Sequence, residues 1–532
     1  MSRKTIHIDR RCQFDLLEET SFCPKEKPLN VAATGRTFNA PDRNQLFLGL
    51  TRVDQYLEQA GLSAPLSVAA LLDEQDWSEF ETRYAQTGRA PYAPRAMMGL
   101  ILFGIMQGIH SLRTLERLAR QDLGCMWVTG GICPDHASIG RFILLHEDSF
   151  SNGFFESLTR TVLKVTGSDG ERLAGDGTVV EAACSHYKLL REEAVRAQAE
   201  MARGALEEAP EDKKCQQAAT LAYQVEDTLD ARKQARIKKG EKTDSLAISP
   251  TEPEAMVQPQ KRRRGKAASY KPSVLANEQR VILAHDVDPS QENSLIPGLL
   301  EQSQRVTGEC AKDLLPDAGY CCDAVIEAAL ARDINLLCPE GKRAEKPRAG
   351  KVFPKSQFCY KPLEDVYVCP AGEQLRPGPQ GDKKYKMYRT SACKDCLRRN
   401  ECTKAKEGRR LRRLDGDEAK EALREVMQQP QAQKEFAQRQ AMVEPVFSHL
   451  KLLQGLTRFR RRGLAGVKRE FALHVLAYNL SRAVAALFWF ILVLNKVPRQ
   501  IISLTLIVLF EISRILKFEQ IELTHTEECL LT

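Results

Sequence analysis

The sequence predicts an α/β fold: a mixed sheet with helices, behind a helical N-terminal domain and interrupted by a cysteine-rich insertion. Three observations predict it. Apolar residues recur at helical spacing through residues 36–150. From Arg172 onward, short strand-like runs alternate with helical ones. Residues 343–415 are instead rich in Lys, Pro and Cys and show little periodicity. A chain of 532 residues, 43% hydrophobic, suggests two to four structural units.

Residues 1–35 read as an N-terminal arm. "MSRKTIHIDRRCQF" lacks the apolar core of a signal peptide, and 16 cysteines without a small-domain disulfide pattern point to a reducing, cytoplasmic setting. In "PYAPRAMMGLILFGIMQGIHSLRTLERLARQDLG" two helices join at "GIHS", with Ser111 as N-cap of the second. An ordinary helical pair is favoured over a helix-turn-helix. "ERLAGDGTVVEAA" is a strand, and residues 188–272 are a charged insertion, helical around "KLLREEAVRAQAEMARGALEEA" and Tyr223–Lys242. "SPTEPEAMVQPQKRRRGK" is loop-like. "QRVILAHDVD" and "KDLLPDAGYC" are strands, each followed by a helix, and "NLLCPEG" is a further short strand. The core thus runs over 170–342 and resumes over 416–485. The tail, 486–532, carries the apolar runs Ala483–Leu494 and Ile501–Ile512. Each is shorter than the ~20 residues of a membrane span, so buried or partner-packed helices are expected and no membrane.

The formal charge is +8, from 78 basic and 70 acidic residues, but "KRRRGK" (Lys261–Lys266), "GRRLRR" (Gly408–Arg413) and "RFRRRG" (Arg458–Gly463) concentrate the basic ones. Each is ordinary solvated surface or, taken with the others, a footprint for phosphate backbone. Among the acids, Asp176 in "AGDGT" and Asp317 in "LLPDAGY" sit at strand ends, where side chains of an α/β sheet converge on a crevice. Glu444 precedes Pro445, which fits a helix first turn and would place Glu444 at its mouth, with Lys451 two turns on along the same face. Turn chemistry and the helix dipole account for the same acids without function. The functional alternative is a pair of hard cations held by carboxylates for phosphoryl displacement.

Taken together and in order, several blocks resemble insertion-sequence DDE transposases with an RNase H-like core and an InsH-type N-terminal domain. They are "GRAPYAPRAMMGLILFGIMQGIHSLRTLERLARQD…PDHASIGRF", "LAGDGTVVEA", "LLPDAGYCCDAVIEA" and "MVEPVFSHLKLLQGLTRFRRRGLAGVKREFALHVLAYNLSR", spanning roughly residues 36–485. The resemblance implies a catalytic, Mg²⁺- or Mn²⁺-binding triad of Asp176, Asp317 and Glu444. It implies DNA contacts by Arg439 and Lys451 beside the glutamate. Phe436 stands where related groups often carry a tyrosine. Phosphate contacts are expected from Arg458, Arg460, Arg461 and Arg462, and recognition of terminal inverted repeats from the N-terminal helices, with Arg113 and Arg117. The expected partner is double-stranded DNA, both element ends and target, bound by a homo-oligomer in a nucleoid-associated, cytoplasmic setting. Rival readings are a catalytically inactive DNA-binding derivative and a metal-dependent nuclease without strand transfer.

Cys369, Cys393, Cys396 and Cys402 form a C-x23-C-x2-C-x5-C pattern that suits tetrahedral Zn²⁺, the alternative being four free cytosolic thiols. Cys321 and Cys322 read as core residues. His110, His136 and His449, lacking ligand spacing, read as structural or surface groups.

Overall fold

The computed structural model describes residues 29–31, 37–39, 43–85, 87–185, 188–259, 265–341, 353–379 and 385–496. Most of the expected arm 1–35, residues 261–264 of the "KRRRGK" cluster and the apolar run 501–512 lie outside them.

The centre is a sheet built on five strands: the first Arg172–Gly177, the second Lys266–Ala276, the third Ile282–Asp288, the fourth Asp313–Pro316 and the fifth Asn335–Leu336. Their order across the sheet is third, second, first, fourth, fifth. The first three pair antiparallel in succession, and the fourth lies parallel to both the first and the fifth. Two short strands, Val180–Glu181 and Met256–Pro259, flank the start of the long second strand on its opposite edges. The expected loop "SPTEPEAMVQPQ" is therefore partly strand. The charged insertion does not extend to residue 272 either, because residues 266–272 belong to the sheet. That strand, "KAASYKPSVLA", shows no alternation because nearly all of it is buried. Pro272 is moreover unusual in a central strand.

The charged run folds as an antiparallel helical hairpin, Glu192–Glu208 against Lys213–Lys239, so its second helix starts ten residues before the expected Tyr223. Asp212 caps that helix through the Lys214 N–H, and Gly240 ends it with φ 68°. Val195, Val225, Leu229, Leu246 and Ile248 make its small core. Arg196 bridges to Glu226 and Asp230, and Lys233 to Glu192.

Helices also account for most of residues 53–166. Pro94–Met106 begins with proline in its first turn and is buried on every side from Ala96 to Ile105. Leu112–Gln121 follows as the expected helical partner, amphipathic, with Arg113 and Arg117 exposed. Ser111 takes the N-cap position but its hydroxyl makes no capping bond.

The closing helix Gly463–Lys496 absorbs the first apolar run of the expected tail. It packs on Pro94–Met106, on Gly153–Thr166 and on the third strand. By length and composition Gly463–Phe490 could cross a membrane, but 67% of its most apolar window is buried in the protein. One core cluster therefore runs unbroken from Val68 through the sheet to Ala483.

Residues 359–413 supply what the sequence did not suggest: a five-stranded antiparallel sheet, Cys359–Lys361, Val366–Val368, Gln374–Pro377, Lys386–Arg389 and Leu411–Arg413. Tyr367 and Tyr388 are fully buried in it, and the hydroxyls of Tyr360 and Tyr388 donate to Asp365.

Asn479, buried on the closing helix, accepts from the Ile282 N–H at 2.9 Å and donates to the Ile282 carbonyl at 2.8 Å and to Thr159 at 3.2 Å. One amide thus ties helix, sheet and N-terminal helices. Asn479→Ala strands a buried backbone N–H and C=O and is expected to lower stability by about 2–3 kcal/mol. Urea unfolding measures it, and a loss under about 0.5 kcal/mol would mean that the ladder does not depend on this clasp.

Candidate active site

Pro316 is in register with Gly175 on parallel strands, which brings Asp317 beside Asp176 at one edge of the sheet. Asp317 caps the turn Ala318–Tyr320 by accepting the Gly319 N–H. Asp176 accepts the Gly177 N–H at 2.9 Å and pairs with the Arg439 guanidinium at 3.1 Å.

A third carboxylate, not singled out in the sequence, joins them. Glu292 follows the third strand, which runs in the same direction as the first and ends at the same edge of the sheet. Its side chain packs against Gly177, where an added Cβ would lie 2.9 Å from Oε1, and its cation is Lys271 at 3.5 Å. Burial, more than the neighbouring charges of Asp176 and Asp317, pushes the Glu292 carboxyl above the usual glutamate range. Its only sequence signal was an acid shortly after a strand end, a pattern too common to single it out.

Glu444 lies elsewhere than expected within its helix. That helix, Pro430–Leu452, starts at Pro430 and contains Pro445 in its interior, so Glu444 is not at its mouth. Pro445 has no N–H for the carbonyl of Ala441, and that oxygen accepts from Arg280 Nε at 3.1 Å instead. The interior proline is tolerated because its orphaned acceptor has a partner. Glu444 is exposed and accepts from Gln440 at 3.0 Å. Among the described residues no three His, Cys, Asp or Glu side chains stand in metal-binding geometry. The structure thus makes neighbours of Asp176, Asp317 and Glu292, but among the described residues gathers neither these three nor Glu444 into a ligand set.

The helix itself is anchored along the first strand. Arg172 donates to Gln438 at 3.0 Å, Arg439 to the Gly175 carbonyl at 3.3 Å, and Lys451 to Thr178 and to the Val179 carbonyl at 3.2 Å. Arg439 and Lys451 thus hold the helix in place. Phe436 packs with Leu315, Leu337 and Ala432.

Cys369, Cys393, Cys396 and Cys402 line one cavity of about 20 Å³ beside the insertion sheet. The Ala371 and Glu373 N–H groups donate to the Cys369 sulfur at 3.4 and 3.3 Å around a turn whose Gly372 has φ 87°. Burial first, with the three other thiols, raises the Cys402 thiol above its ordinary range.

Family models match two stretches of the chain: a transposase domain (DUF772) over residues 65–144 and a transposase DDE domain over residues 368–484. Together they support an insertion-sequence DDE transposase. The DDE domain points to a nucleic-acid-processing enzyme. No curated protein matches the chain. The DDE match contains Glu444, Lys451 and the four cysteines, and the other contains Arg113 and Arg117, whereas Asp176, Asp317 and Glu292 lie outside both.

The basic clusters divide. In Gly408–Arg413, Arg413 stacks 3.4 Å from the Tyr360 ring centre and bridges to Glu421 at 2.8 Å, while Arg409 is buried over Phe358. Arg409 and Arg413 are thus internal scaffolding, whereas Arg410 and Arg412 are exposed. In the later one, Arg458 donates to the Ala182 and Cys184 carbonyls, Arg460 and Arg462 are exposed and Arg461 is half-buried. Of the histidines, His136 meets Glu116 at 2.8 Å and His449 packs edge-on to Tyr478. Cys321 and Cys322 are half-buried.

Glu292→Gln removes a partly buried charge that two neighbouring carboxylates repel. In chelator-treated protein it is expected to raise the melting temperature by about 1–3 °C. A fall would mean that the pairing with Lys271 outweighs the combined cost of burial and repulsion.

Proposed function

We propose that the chain is the transposase of the element that encodes it, binding terminal inverted repeats and catalysing metal-dependent DNA cleavage and strand transfer. The observation that carries this reading is the placement of Asp176 and Asp317 side by side at one sheet edge, under the helix that bears Glu444. The strand order, with three antiparallel strands followed by two parallel ones, supports an RNase H-like core. The carboxylate-rich edge suits hard divalent cations, which prefer oxygen donors. Asp176, Asp317 and Glu444 would hold Mg²⁺ or Mn²⁺, with Glu292 beside them. Bound there, such cations supply charge stabilisation to the attacking and leaving oxygens of a phosphodiester displacement.

The chain's own groups do the rest. Arg439 orients the Asp176 carboxylate and, with Lys451, keeps the glutamate helix on the strand. Exposed Arg113 and Arg117 read the inverted repeats, and Arg460 and Arg462 meet phosphates. The protein acts as a homo-oligomer on DNA in the cytoplasm. One observation favours a catalytically inactive DNA-binding derivative instead: among the described residues no three carboxylates form a metal-binding group.

Incubation with labelled element ends and Mg²⁺ separates these readings. Asp176→Asn, Asp317→Asn and Glu444→Gln are each expected to cut cleavage by at least a hundredfold, an order-of-magnitude figure for losing a metal ligand, while DNA binding persists. Cleavage that survives any one of them removes that residue from the triad, and wild-type binding without cleavage selects the inactive derivative.

The four cysteines are the proposed ligands of one structural Zn²⁺. Their shared cavity and the two N–H donors to the Cys369 sulfur support this reading, and binding zinc would displace the thiol protons. Metal analysis is expected to give one zinc per chain, lost in Cys396→Ser together with protease resistance of the insertion sheet. Zinc content unchanged by that substitution would refute the site.

A further inference from the structure

A cavity of about 350 Å³ lies where the N-terminal helices meet the closing helix. Its polar lining is Arg460, Arg461, His110, Ser111, His474 and Glu470, and the remainder is aliphatic. His474 is 1% exposed, and its Nε2 has no hydrogen-bond partner, while its Nδ1 meets Gln454 Oε1 at 2.8 Å. Nδ1 of His110 is also buried without a partner, and the two rings stand 5.6 Å apart. Two buried ring nitrogens left open are costly unless something fills the space between them.

The lining sets two arginines against one acid. Among the described residues the guanidinium groups of Arg460 and Arg461 donate no hydrogen bond and make no ion pair within 4.0 Å. Ser111, uncapped, heads the ten-residue helix Leu112–Gln121, whose N-terminal N–H groups and dipole favour an anion. The single acid is already engaged: Glu470 accepts the Arg460 and Arg461 backbone N–H groups at 2.8–3.1 Å. It shapes the arginine loop around the cavity. His474 presents an N–H there once the Gln454 amide is turned.

We propose that this cavity is a phosphate-binding site, taking a phosphate group between Arg460 and Arg461 on one side and Ser111, His110 and His474 on the other. The phosphate belongs either to bound DNA or to a free phosphate-bearing small molecule. The site as such is independent of the catalytic reading; only the DNA source rests on it.

Calorimetric titration of inorganic phosphate into the full chain at fixed ionic strength, against chloride, tests it. Wild type is expected to bind, and Arg460→Gln/Arg461→Gln to bind at least tenfold more weakly with an unchanged melting temperature. Arg460→Gln alone, at an exposed position, and His474→Gln are each expected to weaken binding severalfold, which keeps the test informative if the double variant does not fold. Repeating the titration with the protein saturated by duplex DNA separates the sources. Loss of phosphate binding assigns the site to a DNA phosphate, and persistence assigns it to a free ligand. No phosphate binding by wild type, or binding equal in wild type and all variants, overturns the proposal. Cleavage is not a readout here, so that result would leave the proposed chemistry standing.

Discussion

The pairing of Asp313–Pro316 with Arg172–Gly177 covers four residue pairs, yet the aspartates it brings together are 317 − 176 = 141 positions apart in the chain. Parallel strands cannot be joined by a tight turn; they need a crossover. Here the crossover is the helical hairpin, the second and third strands and the helix Ile296–Thr307. Closing so long a loop costs more entropy than four residue pairs return. What holds the pair is the burial around it: Leu173, Ala174, Leu314 and Leu315 are fully buried, as are most residues of the second and third strands. The carboxylate edge is therefore a by-product of core packing, and anything that loosens the third strand loosens the site.

The glutamate helix depends on that frame. The polar contacts that fix its register come from cations: Arg172, Arg439 and Lys451 reach across the joint, and Arg280 takes the carbonyl left open by Pro445. Beneath them Met442, Val443, Val446 and Leu450 supply the apolar contact. The basic residues that flank the glutamate in the sequence are thus joinery at the same time as they are positive charge. Substituting one of them would therefore move the helix as well as remove a charge.

Much of this was legible in the sequence wherever a local pattern decided the structure. The strands carrying Asp176 and Asp317 are short apolar runs ending in turn residues, and the N-terminal helices show helical spacing. What was not legible had long-range causes. Glu292 becomes notable only once the third strand is known to end at the same edge as the first. The second strand was hidden because Ala, Ser and Pro in a twice-covered strand carry no alternation. The insertion sheet consists of strands of three or four residues held by buried tyrosines around Asp365, and no such segment has a period of its own. Pro445 misled for a physical reason. Proline is common in the first turn of a helix, and only the partner supplied by Arg280 permits it inside one.

The unbroken core from Val68 to Ala483 bears on how such a chain can change over evolutionary time. Its N-terminal helices are not a detachable module: Pro94–Met106 is covered on all sides, and the closing helix that covers it also supports the sheet. Exchange of that region between lineages would have to replace matching surfaces on the far end of the chain in the same event. Change in this region is then confined to solvent-facing positions such as Arg113, Arg117 and Arg120, which can drift without disturbing a shared interior.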